Sequence, residues 1–292
     1  MKANNFIYNK ATHKELGKFT QADKSLYLTN LEGEMLLQTK IETITKLQHH
    51  LFAQGKNALL VIVQAMDAGG KDGITKHVFA GVNPLGCRVK SFKAPSEEEL
   101  AHDYLWRCVR ALPERGMIGV FNRSYYEEVL IVRVHHEILQ KQNLPDFSLQ
   151  LHKSKAFWQR RFEEINNFEK YLYNNGIVPI KIFLNISKAE QKKRFMTRIN
   201  KPSKNWKFNF GDIKERAYWD EYMDYYSDMF KATSTDYAPW HIIPADSKLF
   251  SRLIVADIVI NKLNNLNLNY PKLSDPQKQQ LISAKKKLEE EE

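Results

Sequence analysis

Five short apolar runs, each followed by a stretch with helical periodicity, constrain this chain more than any other feature. They are "NALLVIVQA" (57–65), "CRVKSF" (87–92), "MIGVF" (117–121), "VPIKIFL" (178–184) and "WHIIPA" (240–245). The first is apolar at successive rather than alternate positions and is too short and β-branched for a helix. It reads as a strand covered on both faces, as in a parallel sheet. Helical patterns occupy 71–81, 96–111, 149–175, 187–200 and 212–232, and a last one, about 248–266, comes after the fifth run. Strand, helix, strand, repeated, requires crossover connections. The expectation is an α/β fold with a parallel sheet of about five strands flanked by helices.

Ahead of the first run, Leu31, Met35, Leu36, Ile41, Ile44, Leu47 and Leu51 recur on one face of a 3.6-residue period. No linker splits the chain into two domains. Residues 1–30 read as an N-terminal arm, 31–270 as one domain, and 271–292 as a solvated helical tail capped by Ser274 or Asp275 with Pro276 in its first turn.

Lysines and arginines number 44 against 34 aspartates and glutamates, a net charge of +10. That excess points to an anionic partner without choosing among phosphates, nucleic acid and a membrane surface. The two cysteines, Cys87 and Cys108, have no metal-ligand spacing and suit a reducing compartment. No stretch approaches the ~20 apolar residues of a membrane span. A cytoplasmic protein is expected.

The first run ends in "AMDAGGKDG" (65–73), directly before a helical pattern. A strand that turns through glycines into a helix presents unpaired N–H groups and the positive end of the helix dipole, both suited to an anion. Gly69, Gly70, Lys71, Asp72 and Gly73 therefore form a candidate phosphate cradle. The pattern departs from the Walker A sequence G-x-x-x-x-G-K-[ST] in two places. Ala65 stands for the first glycine, and Asp72 for the Ser or Thr that ligates Mg²⁺. Asp67 adds a second carboxylate. Two such charges would repel a phosphate unless a cation lies between, so a metal held partly by Asp67 is expected. Asp72 either engages the phosphate and its metal or merely complements the helix start.

After the third run comes "FNRSYYEE" (121–128). Asn122 keeps an oxygen where a strand-end aspartate would be usual, Arg123 offers a planar fork of donors for phosphate, and Glu127 returns a carboxylate. Together with "MDAGGKDG", "SFKAPSEEELAHDYLWR" and "APWHIIPAD", these motifs resemble the polyphosphate kinase 2 family, nearest its class III branch. The likeness runs from about residue 30 to 270, and the Ala65 and Asp72 departures are the family's own variant. The resemblance implies a P-loop kinase fold with a helical lid, similar to thymidylate kinase. It also implies reversible, Mg²⁺-dependent phosphoryl transfer from inorganic polyphosphate to AMP or ADP, giving ADP or ATP. A homo-oligomer, with a tetramer as the expected form, is implied in the same way. Asp67, Lys71, Arg123 and Glu127 become the catalytic candidates, with Asp67 and Glu127 on the metal.

The lid is expected at about 195–225. From Lys188 to Arg216 the chain holds ten Lys or Arg against three Asp or Glu. Arg194, Arg198, Lys204, Lys207 and Arg216 join the loop and Arg123 as candidates for a polyphosphate track, bound by the counterion release that governs other polyanions. On the acceptor side, Lys93, Asp103 and Arg107 come after the second run, and Asn122 and Arg133 after the third. Expected partners are polyphosphate and AMP, ADP or ATP, with neither nucleic acid nor membrane. Two other readings compete: an ATP-dependent nucleoside monophosphate kinase, and a non-catalytic polyanion-binding protein, in which the loop carboxylates would be repulsive.

Overall fold

All seven residues from Ala58 to Gln64 are buried, because strand β1 (Ala58–Gln64) lies at the centre of a sheet covered on both faces. The computed structural model describes residues 3–9, 21, 23, 25–145, 148 and 150–291. Four further strands are β2 (Cys87–Ser91), β3 (Ile118–Asn122), β4 (Ile177–Asn185) and β5 (Trp240–Pro244). All neighbours pair in parallel, in the order β2-β3-β1-β4-β5. From β1 the chain crosses to the edge strand β2, returns to fill the place between them with β3, then crosses to β4 and β5 on the other side. The switch point therefore falls at the carboxyl end of β1, where open α/β sheets bind their ligands. Register brings Val63 beside Asn122 and Gln64 beside Phe183, so the loops after β1 and β3 emerge together.

Helix α1 (Asn30–Gln54) begins at Thr29, whose hydroxyl accepts the Glu32 N–H, and stops at Gly55 with φ 61°. Next come α2 (Lys71–Val78), α3 (Glu97–Leu100), α4 (Trp106–Val109), α5 (Ile131–Val134) and α6 (His136–Lys141). They are succeeded by α7 (Lys155–Asn174), α8 (Lys188–Asn200), α9 (Pro202–Asn205), α10 (Phe210–Glu215), α11 (Trp219–Thr233), α12 (Lys248–Asn264) and α13 (Asp275–Glu289). α12 packs on α1 and α2, and α7 packs on β4 and α11.

The helix expected over 96–111 is two short ones. The Asp103 carboxylate accepts the Leu105 N–H at 2.9 Å, an Asx turn that competes with helix continuation. Likewise the pattern at 212–232 divides into α10 and α11, joined by a 3-10 turn at Arg216–Tyr218.

Of the N-terminal arm, Phe6 and Tyr8 are buried, and the Tyr8 N–H donates to Trp240 O at 2.8 Å. This covers the otherwise open edge of β5. Residues 1, 2, 10–20, 22 and 24 of the expected arm lie outside the described residues. At the other end, α13 has a Ser274–Gln277 capping box and exposed side chains along its described length.

One polar cluster sits inside the core. Lys181 on β4 and Glu169 on α7 are both fully buried and pair at 2.7 Å. The Tyr125 and Tyr126 hydroxyls donate to Glu169 Oε1 at 2.9 and 2.8 Å, and Lys181 also donates to Thr233 O. The cluster ties β4, α7 and α11 to the segment just after Arg123. Among the described residues, no helix is long and apolar enough to cross a membrane.

Candidate active site

The loop from Ala65 to Gly70 is tight enough to dictate its residues. A Cβ on Gly69 would stand 2.6 Å from Ala65 Cβ and 2.7 Å from Met66 O, so only glycine fits there. Gly70, the residue before α2, has φ 111°, which an L side chain resists. Ala65 itself is buried and needs no left-handed backbone, which explains why alanine can replace the first glycine of the pattern.

Lys71, the first residue of α2, curls back so that Nζ donates to Ala65 O at 2.7 Å and Met66 O at 3.3 Å. Burial lowers its pKa and Arg123 adds to that, while Asp67, Glu127 and Asp72 oppose it. Arg123 faces Lys71 from the end of β3 with φ 65°, a strained value for a non-glycine residue and a common mark of a functional position. Its Nη2 lies 2.8 Å from Asp67 Oδ1 and its Nη1 3.6 Å from Glu127 Oε2. Glu127 is the main cause that raises the Arg123 pKa; burial opposes it and Asp67 assists. Asn122 donates to Asp72 at 2.8 Å, which pins the carboxylate that replaces the usual hydroxyl.

The lid cations are placed otherwise than as a row of free charges. Arg194 is buried beneath the loop. Its five N–H groups go to Glu190 and to the carbonyls of Ala68, Gly69, Ala245 and Asp246. Arg198 pairs with Asp212 at 3.0 Å and donates to Lys207 O. Among the described residues, Arg216 pairs with neither Glu215 nor Asp220 but donates to Lys188 O at 2.8 Å and Gln191 Oε1 at 2.7 Å. Lys204 and Lys207 stand near the lid tip, where Trp206 and Phe210 are exposed.

Two contributors carry no motif. Gln191 donates to Asp67 O at 2.9 Å. Asp212 on α10 sits close enough to Asp67, Arg123 and Lys71 to feel their charges; burial, then Asp67, raises its pKa. The available signal for Asp212 was a lone aspartate within a basic run.

The acceptor candidates separate. Asp103 and Arg107 line a cavity of about 400 Å³, along with Glu99, Tyr104, Glu128 and Arg161. Arg107 is held by Lys93 O at 2.8 Å and lies 3.4 Å from Glu99. Arg161 stacks 4.0 Å over the Tyr104 ring, and burial pushes the Glu128 carboxyl up. Glu128 comes directly after Glu127, so one short segment joins the cavity to the loop. Lys93 contributes its carbonyl while its residue is exposed. Arg133 lies on another depression between α7 and α11, against Asp228 at 3.2 Å and Tyr225 at 3.9 Å.

For Mg²⁺, Asp67 and Glu127 are two carboxylates on one arginine, and no group of three potential protein ligands occurs among the described residues. Mg²⁺ commonly takes one or two carboxylates and completes its shell with substrate phosphates and water. The donor set fits that arrangement.

A glycine loop at the switch point of a parallel sheet, with a lysine, an arginine and carboxylates over it, defines a P-loop kinase. The chain belongs to the polyphosphate kinase 2 family, whose model matches residues 28–271. It is 45% identical over 288 residues to the ADP-polyphosphate phosphotransferase of Rhodopseudomonas palustris, covering 99% of each chain. It is 41% identical over 261 residues to the AMP/ADP-polyphosphate phosphotransferase of Meiothermus ruber, covering 88% of this chain and 91% of the relative. The crystal structure of polyphosphate kinase 2 from Arthrobacter aurescens TC1 superposes with a TM-score of 0.85 at 38% identity, over 97% of both chains.

Proposed function

We infer that this chain transfers phosphoryl groups between inorganic polyphosphate and AMP or ADP, reversibly and with Mg²⁺. The observation that carries the reading is the meeting of Lys71, Arg123, Asp67 and Glu127 at the loop, beside a separate cavity into which Asp103, Arg107 and Arg161 bring charge. The names of the full-length relatives support the substrate class.

Phosphoryl transfer asks a protein chiefly to align two anions and neutralise their charge. The N–H groups at the start of α2 receive the donor phosphate. Lys71 exchanges the carbonyls of Ala65 and Met66 for phosphate oxygens, whose negative charge favours the ammonium form that burial disfavours. Arg123 stabilises the charge that spreads over the transferred group. Asp67 and Glu127 would hold Mg²⁺, which when bound screens the donor and acceptor phosphates from each other. Arg107, already fixed by Lys93 O and Glu99, orients the nucleotide in the cavity.

Incubation with polyphosphate, Mg²⁺ and either AMP or ADP, with every nucleotide identified, tests this. ADP or ATP should form. A parallel arm with ATP as sole donor and AMP as acceptor tests the monophosphate-kinase reading. Turnover confined to that arm, or none with polyphosphate, rejects the proposal.

A further inference from the structure

Three cations outside the catalytic cluster gather on the α12 side of the loop. They are Lys204 on α9, and Lys248 and Arg252 one helical turn apart on α12. α12 packs on α2, and a Cβ on Gly73 would stand 3.6 Å from Arg252 Nη2. Arg194 bridges the same junction, joining Gly69 O to the carbonyls of Ala245 and Asp246 just ahead of α12. Among the described residues, none of the three makes an ion pair.

The surroundings make this grouping costly without a ligand. Burial, then Arg194 and Lys204, lower the Lys248 pKa, with Arg252 a further contributor and Glu190 opposing. Burial and Arg194 lower that of Arg252, and Glu34 opposes. His77, also on α2, is lowered by burial and then by Arg252 and Lys76. Glu190 is already engaged by Arg194 at 2.9 Å. The first turn of α12 carries no acidic residue, so the helix dipole adds to the repulsion. Like charges brought together by α9 and α12 beside Arg194 call for a polyanion.

The acceptor cavity lies on the other side of the loop, between the segment after β2 and the start of α7. We propose that Lys204, Lys248 and Arg252 form the outgoing track for donor polyphosphate: phosphates beyond the one at Lys71 leave the loop along α12, away from the nucleotide. The track rests on the phosphotransferase reading and sets preference for chain length. A donor with few phosphates ends before reaching it, whereas a long chain covers it.

The test is steady-state kinetics of the Lys248→Ala/Arg252→Ala double variant in the full chain, with ADP as acceptor and either long-chain polyphosphate or tripolyphosphate as donor, at several salt concentrations. KM for the long chain should rise about five-fold or more, and its dependence on log salt should flatten by about 1 to 2 in slope, as expected when two phosphate contacts are lost. KM for tripolyphosphate and for ADP should move less than about two-fold. The charge-preserving Lys248→Arg/Arg252→Lys variant should recover most of the long-chain affinity. Should the alanine variant unfold, Lys248→Gln/Arg252→Gln replaces it, with the same expectations. An unchanged long-chain KM and salt slope overturns the track, as does an equal rise for both donors or a rise confined to ADP. A wild-type chain inert with every polyphosphate removes the function itself; an active wild type with an indifferent variant removes only the track.

Discussion

Arg123 Nη2 stands 2.8 Å from Asp67 Oδ1, so the arginine at the end of β3 is aimed by a carboxylate in the loop after β1. The contact spans the two strands that flank the switch point, and Glu127 holds the same guanidinium from the other side at 3.6 Å. A lysine could keep the charge but not both contacts in one plane. Arg123→Lys should lower kcat for ATP formation by about 10²-fold, and Arg123→Ala by about 10²–10³-fold. Near-wild-type kcat in either variant would remove Arg123 from the reaction.

Lys71 is half-buried near three carboxylates and bonded to two loop carbonyls. Lys71→Met keeps much of its apolar stem and removes the charge. Transfer from polyphosphate to ADP should fall by at least about 10²-fold, with the thermal midpoint near that of the wild type. Loss of activity accompanied by loss of folding would point to loop structure rather than phosphate contact.

At Gly69 the obstacle is steric. Gly69→Ala puts a methyl within 2.6 Å of Ala65 Cβ and 2.7 Å of Met66 O, both on the same short turn. Overpacking of this kind costs about 1–3 kcal/mol, and here it displaces the carbonyls that hold Lys71. Urea unfolding should show that loss, and KM for polyphosphate should rise. Wild-type stability and KM together would mean that the loop relaxes freely.

The sheet and loop were legible because their signals are local. Buried parallel strands read as continuous apolar runs, and a glycine turn before a helix announces its N–H groups. Pairing across long sequence separations escaped. Arg194 looks like a free lid cation until Ala68 O and Asp246 O are seen to use its donors. Asp212 looks incidental until the chain returns it beside Asp67. Lys248 and Arg252 belong to a helix that sequence periodicity marks only as packing, since their relation to Gly73 exists only after α12 docks on α2. The broken helix at 97–109 was local but ambiguous, because an aspartate can sit within a helix or end it.

The Lys181–Glu169 pair predicts a strong non-additivity. Removal of one partner leaves a buried charge without its counterion, at a cost of about 3–5 kcal/mol. Lys181→Met or Glu169→Gln should each destabilise by that order in urea unfolding. The double variant should be less destabilised than the sum of the two. Additive losses would show that the pair is uncoupled and that the tyrosine hydroxyls carry the cluster.

His241 predicts the direction of one pH effect. It is buried on β5 with Nδ1 3.1 Å from Lys181 O, so a neutral ring donates there. Burial pushes its pKa down to about 4, with Lys262 and Lys181 contributing and the carbonyl contact opposing. In the unfolded chain a histidine titrates near 6.5. Between these values the unfolded state binds more protons, so this residue's contribution to stability is full above about 6.5 and falls as pH drops toward 4. From pH 7 to pH 5 the loss should be roughly 2 kcal/mol. His241→Asn keeps a donor and cannot titrate, so its unfolding free energy should fall less by about that amount over the same interval. Parallel pH profiles for the two proteins would show that His241 protonates as easily folded as unfolded.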